Sequence, residues 1–219
     1  MLFFLGAAVA IAGVLAAIAG GALLVLFGSS GTLHTGLHRV EVPAAALTSP
    51  AGSIQNASTV ASLFGTPRIG IHAETTSPGG VFIGVATAAD AARYLAGGRV
   101  AVVSDISLRP YSLRYTVATG SRALARPGDQ HLWVAEATGR SSASLVWPIS
   151  SGSYRVVVMR EDASSGIDLE ASFALSVPRL GSLAVGLLVG GIVAVLLAVA
   201  LLVAAFRHGG RRRPRPRFG

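Results

Sequence analysis

Two long hydrophobic runs, one near each end of the 219-residue chain, constrain its architecture more than any other feature. Leu2–Phe27 and Leu180–Phe206 contain no ionisable side chain. As a helix, a run of this length spans roughly 39 Å at about 1.5 Å per residue. A hydrocarbon core of about 30 Å requires only about 20 residues. The sequence therefore predicts two transmembrane helices, at residues 2–27 and 180–206.

The charge distribution predicts how these helices are oriented. Six arginines follow the second run, and they are Arg207, Arg211, Arg212, Arg213, Arg215 and Arg217. Arginine-rich segments flanking a span stay in the cytoplasm, and such residues also contact anionic lipid headgroups. The expected layout is a plasma-membrane protein with both termini cytoplasmic, an extracytoplasmic domain at residues 28–179 and a cytoplasmic tail at residues 207–219.

The first run raises the alternative of a cleaved signal peptide. A secretory hydrophobic region is about 7–15 residues long and follows a basic segment. Leu2–Phe27 is longer and no Lys or Arg precedes it, so a retained anchor is the expectation. Cleavage at the small residues Gly28–Gly31 is the alternative.

Composition narrows the chemistry of the central segment. Residues 28–179 carry 12 arginines against all 10 acidic residues, so the net charge of +8 belongs mostly to the tail. A nearly balanced domain surface does not predict nucleic-acid binding. The chain has no cysteine, which excludes disulfides and thiolate metal ligands. No cofactor is expected.

Small residues recur along one side of each predicted span. In the second span they are spaced four apart, at Gly186, Gly190, Ala194 and Ala198. In the first span they alternate between spacings of four and three, at Gly6, Ala10, Gly13 and Ala17. Small residues permit close helix approach in lipid, so these faces predict packing of the spans together or against a partner. Neither span carries a charge, which disfavours an ion or proton path.

Between the spans, short runs of β-branched and aromatic residues are separated by Gly, Pro and Ser clusters, a pattern typical of a β-sandwich or barrel. The predicted strands are Val60–Phe64, Arg68–His72, Val81–Ala86, Val100–Ile106, Tyr111–Val117, His131–Ala137, Ser144–Trp147, Tyr154–Arg160 and Ile167–Leu175. We therefore predict an antiparallel β-sandwich flanked by two transmembrane α-helices.

Two local signals refine this fold. Thr87 followed three residues later by Asp90 is a capping pattern and predicts one short helix ending at Gly97. Asp162–Gly166 is rich in turn-forming residues and predicts a hairpin between the last two strands.

One stretch carries a family resemblance. Gly80-Val-Phe-Ile-Gly-Val85, Ala89-Asp90 and Arg93-Tyr-Leu-Ala-Gly97 resemble a motif region of actinobacterial two-span membrane proteins with an extracytoplasmic β domain. The similarity extends over about residues 79–167. It departs from the family pattern at Gly84-Val-Ala86 and at Arg160-Glu-Asp162. The resemblance implies the fold and the compartment, and it implies no activity.

Few residues suggest chemistry. His34 and His38 have a spacing suited to metal ligation only on a helix, and His72 and Glu74 can share one face of a strand. A loop with Asp162, Ser164 and Ser165 is typical of a turn stabilised by its own side chains, and we expect that structure here. Ca²⁺ ligands or paired carboxylates, formed by Asp162 and Asp168, are the alternatives.

Two tryptophans have two alternative roles. Trp133 and Trp147 lie in predicted strands with apolar neighbours and belong either to the sandwich core or to a ligand groove.

The leading functional hypothesis is a non-enzymatic module that binds another membrane or envelope protein, as an accessory subunit of a membrane complex. One alternative is a small-ligand or glycan sensor with an exposed Trp133 or Trp147. A second alternative is an envelope hydrolase, which requires a nucleophile, a histidine and an acid in one place. No G-x-S-x-G, S-x-x-K or H-E-x-x-H motif is present.

Overall fold

The computed structural model describes residues 2–108 and 111–209. By its internal contacts the chain divides into two compact units. The first combines Met1–Thr32 with Arg179–Gly219, and the second is Leu33–Pro178. The unit boundaries fall where the hydrophobic runs meet the polar central segment.

Two long apolar helices make up the described part of the first unit. They are α1, Leu2–Phe27, and α4, Leu180–Gly209. Each is long and apolar enough to cross a membrane, over Val9–Phe27 in α1 and over Leu180–Ala200 in α4.

The second unit is a β-sandwich of a five-stranded and a seven-stranded sheet, as the strand-sized runs predict. The first sheet contains β1 (Thr32–His34), β2 (His38–Val42), β5 (Arg68–Glu74), β10 (Ser142–Pro148) and β12 (Ile167–Ser176). The second contains β3 (Ala46–Thr48), β4 (Gly52–Ile54), β6 (Val81–Thr87), β7 (Val100–Leu108), β8 (Tyr111–Ala118), β9 (Trp133–Gly139) and β11 (Gly152–Met159).

The strand order sets which residues become neighbours. In the first sheet the order is β1-β12-β5-β10, and β2 also pairs with β12. In the second it is β8-β7-β3-β11-β6-β9, and β4 also pairs with β11. The registered pairs are antiparallel except for β3 and β7, which run parallel.

The core has two parts because the part of the seven-stranded sheet around β6 is buried on both faces. Strand β6 shows this best, since Val81–Ala86 is buried throughout. Ile83 and Val85 face the space between the sheets, whereas Phe82 and Ala86 face the cluster that contains Tyr94 of a short helix, α3 (Ala88–Leu95). A strand buried on both faces carries an unbroken apolar run rather than an alternating one.

The predicted short helix is confirmed as α3, Ala88–Leu95. The Thr87 hydroxyl accepts a hydrogen bond from the Asp90 backbone N–H at 3.1 Å and donates one to the Asp90 carboxylate at 2.7 Å. This arrangement satisfies one of the backbone donors that a helix start leaves free.

The predicted strand at Val60–Phe64 is wrong, because these residues end a helix, α2, at Ala57–Phe64. Ala57 is buried, and Ala61 and Phe64 are partly buried. This spacing of four and three is the helical period, not the strand period. The β-branched Val60 and the aromatic Phe64 gave the misleading signal.

The predicted hairpin between the last two strands is also wrong. Strand β11 belongs to the seven-stranded sheet and pairs with β3, β4 and β6, whereas β12 belongs to the five-stranded sheet. The Asp162 turn therefore links one sheet to the other. Both sides of β11 are already occupied, so β12 has no place beside it.

Candidate functional site

The outer face of the five-stranded sheet carries the densest set of polar side chains with defined contacts. We call it the polar face, and it comprises Arg39, Glu41, His72, Glu74, Ser142, Ser144, Asp168, Glu170 and Ser172. These positions alternate with core residues such as Ile71, Ala73 and Leu169 along their strands. The period-two alternation of side chains places them together away from the core.

Histidine 72 is held at both ring nitrogens. Nδ1 lies 2.6 Å from the Ser144 hydroxyl, on the neighbouring strand β10, and Nε2 lies 2.7 Å from the Glu74 carboxylate. His72 is also directly opposite Ser172 of β12. The sequence places His72 and Glu74 on one strand face, as expected, but Ser144 is found only from the strand pairing.

Like charges meet in the adjacent row of this face. Glu74 and Glu170 are directly opposite across β5 and β12. Arg39, on the neighbouring strand β2, is directly opposite Glu170. Its guanidinium nevertheless donates to the Asp168 carboxylate, with Nε–Oδ1 and Nη2–Oδ2 distances of 3.1 and 3.0 Å. Opposed carboxylates destabilise a sheet, so the fold tolerates an unfavourable pair here.

A surface depression of about 610 Å³ lies over these acidic residues. Its lining includes Arg39, Glu74, Asp168 and Glu170, together with hydroxyl residues such as Thr75. Three carboxylates against one guanidinium give this depression a negative charge. The hydrogen bonds that Arg39 donates to the Asp168 carboxylate, and the negative charge of that carboxylate, raise the pKa of Arg39.

Both tryptophans contribute to the core. Trp147 is 4% exposed and packs edge-on against Tyr154, with ring centroids 4.8 Å apart. Trp133 is partly buried against Phe82 and Tyr94, and its indole N–H donates to the Pro127 carbonyl at 2.8 Å. Burial of Trp147 removes it from the ligand-groove role, and the contacts of Trp133 leave its ring committed to the cluster under α3.

His34 and His38, which are four residues apart in the sequence, do not come together in the structure. His38 stacks on Tyr111 with ring centroids 3.7 Å apart, whereas His34 lines a depression with His72 and Ser144. In the described part of the chain there is no cluster of three or more His, Asp or Glu residues suited to a metal ion.

The other acidic candidates have local roles. Asp162 accepts hydrogen bonds from the Ser164 N–H at 3.0 Å and from its hydroxyl at 2.7 Å, which is a self-stabilised turn. Asp168 is engaged with Arg39.

An apolar cavity of about 50 Å³ lies between the sheets, among Leu47, Val103, Leu113 and Phe173. Pockets for small organic ligands are typically about 300–1,000 Å³. The cavity is too small for such a ligand without a rearrangement of the core, so it gives the sensor hypothesis no support.

In the first unit, α1 and α4 pack closely through glycines. A Cβ at Gly13 would lie 2.8 Å from the Gly191 carbonyl and 3.0 Å from the Ala194 Cβ, and one at Gly191 would lie 2.6 Å from the Ala17 N. Such distances show backbone-to-backbone approach, the arrangement that small residues allow.

Only some of the predicted packing residues lie at the contact between α1 and α4. On α4, Ala198 is fully buried, whereas a Cβ at Gly186 or Gly190 would have nothing within 4 Å. On α1, Ala10 is partly buried and Gly6 lies in the first turns of the helix. The α4 face that meets α1 is therefore rotated from the four-residue stripe.

The topogenic arginines are only partly within the described chain. Arg207 lies in α4. The other five, Arg211, Arg212, Arg213, Arg215 and Arg217, lie outside the described residues.

Comparisons with known proteins assign no family. No protein-family model matches the chain, and no curated protein sequence matches it. Among solved structures, Bacillus endospore appendages, which are disulfide-linked pili, are 11% identical, with a TM-score of 0.27, covering 67% of this chain and 88% of theirs. Black queen cell virus is 12% identical, with a TM-score of 0.29, covering 71% and 74%. These similarities are too weak to support an inference about function.

Proposed function

We propose that this chain is a two-span plasma-membrane protein that presents its β-sandwich outside the membrane to bind another membrane or envelope protein. It would serve without catalysis, as an accessory subunit of a membrane complex. The two apolar helices and the arginine-rich tail support this layout, with both termini cytoplasmic. The motif resemblance to actinobacterial two-span proteins supports the same compartment.

The polar face carries the binding proposal. Glu74 and Glu170 oppose each other within a negatively charged depression, and this costs stability that a partner's cation would recover. Polar arrangements that oppose the fold are often retained for function. We therefore expect the partner to present Arg or Lys side chains to the depression.

Copurification tests this function. The chain, extracted in a mild detergent at native expression, should return a reproducible partner that dissociates at higher salt, since exposed charge pairs are screened. The double substitution Glu74→Gln with Glu170→Gln should reduce recovery of the partner by about tenfold or more. Glu136→Gln, on the exposed side of β9, is the control. Equal recovery with both variants, or no partner at all, would contradict the proposal.

A second candidate, an envelope hydrolase, rests on one observation. Ser144, His72 and Glu74 form a line of nucleophile, base and orienting carboxylate within hydrogen-bond distance. In this scheme the Ser144 Oγ attacks an ester carbonyl, its proton passes to His72 Nδ1, and Glu74 stabilises the imidazolium. The ester C–O bond then breaks, and the alcohol leaves with the proton from His72, so that an acyl-enzyme remains. Water, deprotonated by His72, attacks the acyl carbon, and the carboxylic acid leaves as the Ser144 hydroxyl is restored.

The surroundings of His72 and Ser144 favour the binding proposal over hydrolysis. His72 is 35% exposed at its side chain, on an open sheet face. Two hydrogen bonds fix which backbone amides of β10 are bonded to β5: the Thr75 N–H donates to the Ser141 carbonyl, and the Ile149 N–H donates to the Pro67 carbonyl. In the antiparallel β5–β10 pair, the hydrogen-bonded positions of β10 are therefore the odd-numbered ones. The Ser144 N–H therefore points in the sheet plane toward the open side of β10, away from its own hydroxyl.

A serine-directed fluorophosphonate separates the two candidates. Hydrolysis predicts labelling that Ser144→Ala and His72→Ala abolish and that Ser172→Ala preserves, since Ser172 flanks His72 on the opposite strand. The binding proposal predicts no labelling of the wild-type chain.

A further inference from the structure

Helix α2 has an apolar side that the domain leaves uncovered. Val60 is 39% exposed and Leu63 is 61% exposed. The two residues are three apart and so share a side of the helix. Ser58 lies on the opposite flank, about 140° from Leu63 at 100° per residue. The helix is therefore apolar on two sides, one packed on the domain and one open.

The end of α2 lies beside the chain entry to α4. Gly65 follows the helix, and a Cβ there would lie 3.2 Å from the Pro178 Cβ. Pro178 is joined through Arg179 to Leu180, the first residue of α4. Consecutive Cα atoms are about 3.8 Å apart, so α2 ends within a few residue lengths of the start of a predicted membrane span.

Basic residues occur at the same end of the domain. Arg68 begins β5 and pairs with Ser176, the last residue of β12. Arg179 follows three residues after Ser176, directly after Pro178, the last residue of the second unit. Cationic side chains at a membrane surface favour anionic headgroups. α2 itself carries no basic residue, so its exposed apolar side and these neighbouring arginines together supply the apolar and cationic groups that interact with a membrane interface.

We propose that α2 lies in the headgroup region of the outer leaflet, with Val60 and Leu63 in contact with lipid. This inference rests on the proposed two-span layout, which places Leu180 at the membrane boundary. It adds a third lipid contact to those of the two spans.

The absence of native cysteine allows a direct test. Single cysteines at Leu63→Cys, Ser58→Cys and Val193→Cys are labelled with an environment-sensitive fluorophore, and the full chain is reconstituted into vesicles of mixed neutral and anionic lipid. Each protein is then mixed with lipids spin-labelled near the headgroup or near the chain end. Val193 is an exposed residue within α4, and it reports on membrane insertion of that helix.

We expect the Leu63 label to be quenched by the headgroup-labelled lipid at least about twofold more than the Ser58 label, as an interfacial helix requires. Equal quenching at residues 63 and 58, with the Val193 label quenched by chain-end lipid, would overturn this inference and leave the two-span proposal standing. An unquenched Val193 label would overturn both. Leu63→Cys alters an exposed side chain, and circular dichroism verifies that the domain is folded.

Discussion

At the scale of single residues, the polar face shows a conflict that the fold does not resolve. Glu170 sits between Arg39 and Glu74 in one cross-strand row, but Arg39 turns to Asp168. Glu170 therefore faces Glu74 on one side, and on the other side it retains a weaker electrostatic attraction to Arg39.

We expect Glu170→Gln to stabilise the domain by about 0.2–1 kcal/mol, because it removes the repulsion from Glu74. Thermal unfolding at low salt measures this gain, and the gain should shrink as salt is added. Glu136→Gln is the matched control, since Glu136 is opposite Gly84 and has no charged cross-strand neighbour. A loss of stability on Glu170→Gln would show that Glu170 supports the fold.

Tyr94 gives a second prediction at this scale. Burial raises the pKa of Tyr94 to about 12, and its hydroxyl donates to the Ala125 carbonyl at 2.6 Å. Because the folded pKa lies above the unfolded value of 10.0, the stabilisation is complete below pH 10. It is lost as the pH rises from there through about 12.

Urea unfolding across alkaline pH, with tyrosinate absorbance, measures this loss. In Tyr94→Phe the fall in stability above pH 10 should be smaller than in the wild type. An identical pH dependence in both proteins would show that other groups cause the alkaline unfolding.

Individual residues also show what the sequence can and cannot predict. The hydrogen bonds of Thr87 with Asp90 follow from local spacing, and the helix was predictable for that reason. The packing side of Trp133 was not predictable, because a bulge shifts the β6–β9 register after Val85. Ala135 consequently packs between the sheets while Trp133 packs under α3. A bulge of one residue reverses the face of a side chain, and alternation alone does not reveal it.

At the scale of elements, local composition predicted where most strands begin and end, but it did not predict which strands pair. Strand boundaries follow from β-branched runs and from turn residues, which are local. The partner of β12 depends on which sheet edges are free, a property of the whole domain. The association of Ser144 with His72 has the same origin, since it requires the β5–β10 register. The spacing of the sequence therefore predicted that His72 and Glu74 share a strand face, but it could not predict that Ser144 joins them.

The seam between α1 and α4 shows the same limit on small-residue patterns. Gly190 and Gly191 are adjacent, yet only Gly191 meets α1. We expect Gly191→Ile to destabilise the helix pair by about 1–3 kcal/mol, because its side chain would collide with the Gly13 and Ala17 backbones. Gly190→Ile should change stability little.

Disulfide formation between Gly13→Cys and Ala194→Cys provides the measurement, in a chain with no native cysteine. A Cβ at Gly13 lies 3.0 Å from the Ala194 Cβ, close to the range that a disulfide spans. Cross-linking in membranes should fall with Gly191→Ile and persist with Gly190→Ile. Equal yields would show that the two helices do not pack through Gly191.

At the scale of the whole molecule, charge and hydrophobicity separate by segment. The acidic residues all lie between the two apolar helices, and the arginines after α4 supply most of the net positive charge. The proposed layout assigns the orientation of the protein to its tail and the binding of a partner to its domain. It therefore predicts that the two can be changed independently.

Removal of the tail charges tests that separation. Replacement of all six arginines after Phe206 by Gln should increase the fraction of chains with the C-terminus outside, because positive charge next to a span retains it in the cytoplasm. A C-terminal phosphatase fusion, active only outside the cytoplasm, measures the orientation. The control replaces six arginines within residues 28–179, where charges far from the spans influence orientation little. If both variants keep the phosphatase inactive, the second span is oriented by the domain and not by the tail. The polar face would then lie outside the cytoplasm for a reason other than the positive charge of the tail.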